Sequence, residues 1–505
     1  MMKRLAFNTA SNVITLVIKL SITFIMTPML IKNLGRYDYG IWEMIGAVIG
    51  YMGMLDLGIR PAVSRFASRF IALDDEVSLR ILYATAWYFL LAIGVLIAVI
   101  LSMWGIFFPE HIAEIPTDTQ RYTWLLLILA AQLLITFPSY AAESYMESYQ
   151  EYYLKNNITI VNSFIGFTIV YYYITPSNAL ILLAAVNALG VCSKYIFLVW
   201  FMQYRRPFLK LKREYFSVPQ FKELLSFGFK SMISGISSRI ENATDSLVIG
   251  TVLGPASVLL YSVPAALLSQ TRGICMTITH VFMPYISGLN ATNDHQKIRV
   301  VYIFGSKLMV FVPLLLIMGI LTVGEDFLRL WVGADIAESS RKFLFIIAAF
   351  TLIPMLNPLS VRYLQAIDEH VFFAKWQPAV ALANLILSVI LIYPLGIAGV
   401  ALGSLIPAII FQPILLYVCC KHLNASVWEY VSKVLLPWII PSIGMVVSIF
   451  GFKHLIPITN FFWFLIVASL GALVFVGLSC FLVFSVKERS QLFGLVRRKK
   501  VSIGD

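Results

Sequence analysis

"TLVIKLSITFIMTP", residues 15–28, places Lys19 in the middle of a run that is otherwise suited to lipid and extends from about Asn8 to Leu30. A charge at the centre of a bilayer costs roughly 3 kcal/mol even on the lenient insertion scale, so such a residue faces protein or water. At 100° per residue, Asn8, Asn12, Thr15, Lys19 and Thr23 fall within an arc of about 80°. The opposite side is Ile, Leu, Val and Phe. The stretch predicts a membrane-spanning helix with one polar stripe turned away from lipid.

Similar runs recur from end to end of the 505 residues, of which 59% are hydrophobic and 13% charged. A soluble domain carries nearer a quarter charged residues, and a span needs about 20 apolar ones. The expected fold is all-α and polytopic, with about 14 transmembrane helices near 8–30, 41–59, 81–108, 121–145, 157–175, 179–203, 226–252, 258–285, 301–323, 341–364, 376–394, 398–420, 433–452 and 461–485. The first run is too long for a signal-peptide core and reads as a retained span. Most of the 38 Lys and Arg fall in segments that are cytoplasmic if both termini are inside, among them Arg65, "RRPFLKLKR" at 205–213 and "RRKK" at 497–500. This bias sets the orientation and accounts for the +12 net charge without nucleic acid. The five cysteines lie in hydrophobic runs with no metal-ligand spacing, so neither a disulfide framework nor a zinc site is expected. No phosphate-binding loop or nucleophile elbow is present, and no cofactor is expected.

The chain also repeats itself. "LGRYDYG" (34–40) aligns with "LGPASVLLYS" (253–262), and "DDEVSLR" ending at Arg80 aligns with "NDHQKIR" ending at Arg299, both at an offset of 219 residues; Pro176 and Pro394 open similar turns 218 apart. The reading is two parallel six-helix lobes, 1–203 and 220–420, then two further helices (433–485) and a basic cytoplasmic tail (486–505). Carriers built from repeats place substrate near the midplane at the repeat interface.

Other intramembrane charges extend the theme. Helix 7, "SMISGISSRIENATDSLVIG" (231–250), holds Arg239, Glu241, Asn242 and Asp245, and helix 8 holds Gln270 and Arg272 near its centre. Lys19, Arg239 and Arg272, with Gln270 and Asn12, suit a cavity for an anionic ligand such as a diphosphate. Asp56 and Arg60 are candidates for a gate, Glu241 and Asp245 for ion coupling. Lys194 and Lys307 are expected to snorkel, Glu143 and Glu147 to form a solvated face, and Gly46, Gly50 and Gly53 to form a packing seam.

"NTASNVITLVIKLSITFIMTPMLIKNLGRYDYGIW", "LDLGIRPAVSRFAS" and "DSLVIGTVLGPASVLLYSVPAAL" together resemble the Wzx-type oligosaccharide flippases of the multidrug/oligosaccharidyl-lipid/polysaccharide exporter superfamily. The resemblance implies two six-helix lobes around a cationic cavity and a multi-pass protein of the bacterial cytoplasmic membrane. It implies a substrate, an undecaprenyl-diphosphate-linked oligosaccharide moved to the outer leaflet by alternating access, and as partners the lipid bilayer, a polysaccharide polymerase and chain-length proteins. Lys19 and Arg272 lie where related lipid II flippases carry cavity cations. The alternatives are a membrane-embedded polymerase or glycosyltransferase, against which the short outward loops argue, and a cation-coupled drug antiporter, whose expected acidic central site is basic here.

Overall fold

The computed structural model describes residues 2–111, 119–279, 282–367, 369, 371–486 and 488–489. Among them there is no strand. The long apolar runs force this outcome, because in lipid a segment must satisfy its own backbone hydrogen bonds.

The first compact unit, Met1–Leu259, contains α1 (Met2–Met52), α2 (Ile59–Ala72), α3 (Glu76–Phe107), α4 (Thr119–Ser148), α5 (Tyr152–Tyr173), α6 (Ala179–Arg205) and α7 (Val218–Leu253). α4 packs between α3 and α6, while α1 packs on α5, α6 and α7. The second unit, Leu260–Asp505, takes in most of α8 (Pro255–Thr279), then α9 (Phe282–Ala291), α10 (His295–Val332), α11 (Ala334–Leu352), α12 (Ser360–Ala366), α13 (Val371–Leu395), α14 (Ile397–His422), the single turn α15 (Val427–Tyr430), α16 (Ile439–Leu455) and α17 (Phe461–Leu478). α16 and α17 pack on each other and on α10. There Trp438 stacks on Phe475 at 5.8 Å, and Phe311 lies 5.8 and 5.5 Å from the two rings.

The internal repeat is visible in the backbone. α3 and α10 begin at Glu76 and His295, α5 and α13 at Tyr152 and Val371, and α6 and α14 at Ala179 and Ile397, offsets of 219, 219 and 218 residues. Asp75 and Asp294 cap α3 and α10 by accepting from the Ser78 and Lys297 amides at 2.9 and 3.1 Å. Hydrogen bonding to Ser78 holds the Asp75 carboxyl below its ordinary range, and bonding to Lys297 does the same for Asp294. The chain breaks its helical path at Gly35 (φ 72°) and Gly254 (φ 87°), again 219 apart, in a region that glycine enters without steric cost.

Most expected spans fall on one helix, but 41–59 runs past the end of α1, 258–285 runs from α8 into α9, 341–364 covers the end of α11 and α12, and 433–452 begins ahead of α16; ten stretches among the described residues are long and apolar enough to cross a membrane. One of them, Ile14–Asp56, runs through the Gly35 kink and holds two expected spans; α5, α7 and α8 are absent from the ten. Two positions of the expected glycine seam, Gly46 and Gly50, are not closely packed. A methyl on Gly46 or Gly50 would meet nothing within 4 Å, whereas one on Gly58 would stand 2.0 Å from the Gly228 carbonyl oxygen and one on Gly228 2.5 Å from that of Leu57. Gly58→Ala must therefore push two backbones apart at a positive φ, which costs about 2–3 kcal/mol or more. The expected result is loss of monodisperse protein in detergent for Gly58→Ala and none for Gly46→Ala, read by size-exclusion chromatography; equal profiles would contradict this account of the α2–α7 contact.

Candidate functional site

Three helices of the first unit each turn one stripe toward a common groove. α1 contributes Thr15, Lys19, Ile22 and Met26; α5 contributes Lys155, Thr159, Asn162, Ser163 and Gly166; α6 contributes Leu183, Val186, Asn187, Gly190 and Lys194. Each set recurs at three- and four-residue intervals, the spacing of one helix face. The groove encloses about 450 Å³. On α5 the opposite face, Val161, Phe164 and Ile165, is exposed, as a lipid-facing stripe must be.

The groove's hydroxyls are oriented by the helix. Thr159 Oγ1 donates to the Lys155 carbonyl and Ser163 Oγ to the Thr159 carbonyl, each at 2.7 Å. Asn162 Nδ2 donates to the Gly190 carbonyl at 2.6 Å and to Ser193 Oγ at 3.1 Å, tying α5 to α6.

Lys155 also lines a second cavity of about 560 Å³, together with Asp56, Arg60, Glu143 and Glu147. Its Nζ lies 3.0 Å from Glu143 and 2.7 Å from Glu147. Tyr195 donates to Glu143 Oε2 at 3.1 Å, and Lys194 Nζ stands 3.8 Å from the centroid of the Tyr195 ring. Buried Asp56 accepts from Arg60 Nε at 2.7 Å and from the Gly58 amide at 2.9 Å. Arg60 lies 4.1 Å over Tyr140, whose ring meets Tyr195 edge-on at 5.8 Å. A continuous chain of cation, ring and carboxylate thus links the Asp56–Arg60 pair to the groove.

Lys19 is exposed within this arrangement. Among the described residues neither Lys19 nor Lys194 makes an ion pair with a carboxylate, whereas Lys155 makes two. Among the described residues the groove therefore presents two ammonium groups with no direct carboxylate contact, which favours an anion.

The other sequence-expected residues fall elsewhere. The side chains of Asn12, Arg239 and Glu241 lie outside the described residues. Asp245, on α7 of the first unit, is buried. Gln270 and Arg272 belong to α8 in the second unit; Arg272 is half-buried, and Gln270 lines an apolar cavity of about 420 Å³ with residues of α10, α16 and α17. Two expectations need correction. Glu143 is not on a solvated face but buried against Lys155 and Tyr195. Lys307 does not snorkel to open solvent: its Nζ pairs with Glu488 at 3.1 Å beside Phe484. Lys155 was not anticipated at all, although "KNNITIVNS" (155–163) carries the polar 3–4 spacing that marks its face.

With the geometry in place, comparison with known proteins becomes informative. The fold matches an inward-facing multidrug resistance MATE family transporter of the MOP superfamily, with a TM-score of 0.67 at 15% identity over 81% of this chain and 98% of that one. It equally matches lipid II flippase MurJ in an inward closed conformation, with a TM-score of 0.66 at 18% identity over 98% of this chain and all of that one. These likenesses define the fold. The chain belongs to the polysaccharide biosynthesis protein family, whose model matches residues 33–341. It is 22% identical over 409 residues to a putative O-antigen transporter of Shigella flexneri, covering 78% of this chain and 94% of that protein. It is 22% identical over 450 residues to a probable low-salt glycan biosynthesis flippase of Haloferax volcanii, covering 88% and 89%. These relatives are named as a transporter and a flippase.

Proposed function

We propose that this chain carries an undecaprenyl-diphosphate-linked oligosaccharide from the inner to the outer leaflet of the bacterial cytoplasmic membrane, by alternating access. The observation that carries the reading is the groove between α1, α5 and α6, where Lys19 and Lys194 stand beside a wall of hydroxyls and amides. A diphosphate brings two or more negative charges, and charge-assisted hydrogen bonds to ammonium groups are about twice as strong as neutral ones. The sugar hydroxyls cannot cross hydrocarbon without hydrogen-bond partners; a polar groove supplies them.

In this reading Lys19 and Lys194 attract the diphosphate, and Arg239, Arg272, Gln270 and Asn12 are further candidate substrate contacts. The Asp56–Arg60 pair, which lines the second cavity, or vestibule, serves in this reading as a gate. Glu241 and Asp245 serve ion coupling. Both termini are cytoplasmic, the chain crosses the membrane fourteen times, and the product passes to a polymerase with its chain-length proteins.

Native mass spectrometry of the full chain purified in detergent tests the proposal. The expected result is an adduct whose fragments give a polyprenyl diphosphate and a glycan, strongly reduced in Lys19→Glu at equal protein yield. Spectra showing only bulk phospholipid, unchanged by that substitution, would sink it.

A further inference from the structure

We infer that the α5–α6 wall of the groove is a sugar-reading subsite, with Thr159, Ser163 and Asn162 accepting hydrogen bonds from hydroxyls of the sugar nearest the diphosphate. The inference rests on the proposed diphosphate-linked substrate and assigns a separate job to a separate part of the groove.

The hydrogen-bond inventory carries it. A threonine or serine hydroxyl has one proton and two acceptor lone pairs. Thr159 and Ser163 commit their protons to backbone carbonyls one turn back, both at 2.7 Å. Asn162 commits its amide protons to the Gly190 carbonyl and Ser193. What these three side chains have left is oxygen acceptors, set along one face of α5 that lines the groove. A ligand matching them must donate. Phosphate cannot, since its oxygens accept only; sugar hydroxyls can. The donors that phosphate needs line the same groove, at Lys19 on α1 and at Lys194, one turn beyond Gly190 on α6. Acceptors for a sugar and cations for a phosphate thus adjoin within about 450 Å³.

Gly190 keeps room for a ring. A methyl placed there would find its nearest neighbour, Asn162 Cβ, at 3.8 Å, an ordinary contact, so alanine fits and would narrow the groove by one methyl. Three acceptors on a half-buried wall also carry a penalty for any sugar that leaves them unmatched, which is how a site built from hydrogen bonds discriminates.

The test uses the full-length chain in nanodiscs and two probes: lipid-linked glycan extracted from the membranes of the cells in which the chain works, and bare undecaprenyl diphosphate. Wild type should bind the glycan-bearing lipid about tenfold more tightly, the increment expected of two or three hydrogen bonds. Thr159→Val combined with Ser163→Ala should bring the two affinities to within about twofold while bare diphosphate binds as before. Gly190→Ala, which leaves every acceptor in place and fits sterically, should also lower only the glycan-bearing affinity. The inference is overturned if wild type shows no preference, if the preference survives both variants, or if both probes weaken together. Lys19→Gln separates the two readings: it should weaken both probes, and if it weakens neither, the diphosphate reading fails while the sugar preference is judged on its own.

Discussion

Lys19→Glu should abolish surface-glycan production in a complementation assay, Lys19→Gln should lose most of it, and Lys19→Arg should keep a substantial share, all at unchanged protein abundance. The order follows from where the ammonium stands. Lys19 makes no ion pair among the described residues and is exposed to the groove, so removing it leaves no buried carboxylate orphaned and stability is not expected to fall. Its attraction for a docked anion at 4 Å is about 4 kcal/mol at an effective dielectric of 20; even half of that is roughly 30-fold in affinity. Reversing the sign turns attraction into repulsion and also gives Lys194, on the facing stripe, a new partner. A lysine kept for structure gives the opposite order, with glutamine tolerated and arginine harmful through its bulk. Observing that order at equal abundance would remove Lys19 from the substrate site.

The polar stripe on α1 was legible because lipid punishes polar groups and helices sort residues by period. Thr15 and Lys19 do line the groove, although the lower part of the stripe is Ile22 and Met26, whereas Thr23 is exposed. The repeat was equally legible, since kink and cap residues at Gly35, Gly254, Asp75 and Asp294 are fixed by backbone chemistry wherever they recur. What escaped was anything decided by a neighbour distant in sequence. Glu143 and Glu147 look solvated when read along α4 alone; only α5 and α6 reveal that Lys155 and Tyr195 satisfy one of them in the interior. Lys307 meets Glu488 across 181 residues, and Gly58 meets Gly228 across 170 positions. α5 lacks the uniform apolarity of the neighbouring spans because it turns polar residues toward the groove.

Lys155→Met should lower the melting temperature of the purified protein markedly, and adding Glu143→Gln should restore it without restoring transport. Glu143 is buried, with 9% of its side chain exposed, and its charge is balanced by Lys155 at 3.0 Å. Removing one partner of a buried pair leaves an uncompensated charge, typically a loss of 3–5 kcal/mol. Lys155 is itself about one-third exposed, and Tyr195 still donates to the carboxylate, so about 2–3 kcal/mol is the reasonable expectation. Glutamine at 143 keeps an oxygen for Tyr195 and removes the charge, which is why the double variant should recover. Glu147 adds little to the loss, because 30% of its side chain is exposed and it can turn to water. Transport should stay impaired in the double variant, since Lys155 lines both the vestibule and the groove and a methionine there breaks the polar path between them. A double variant that regains full transport would make the Glu143–Lys155 pair a structural brace alone. A single variant as stable as wild type would mean that Glu143 reaches water by another route.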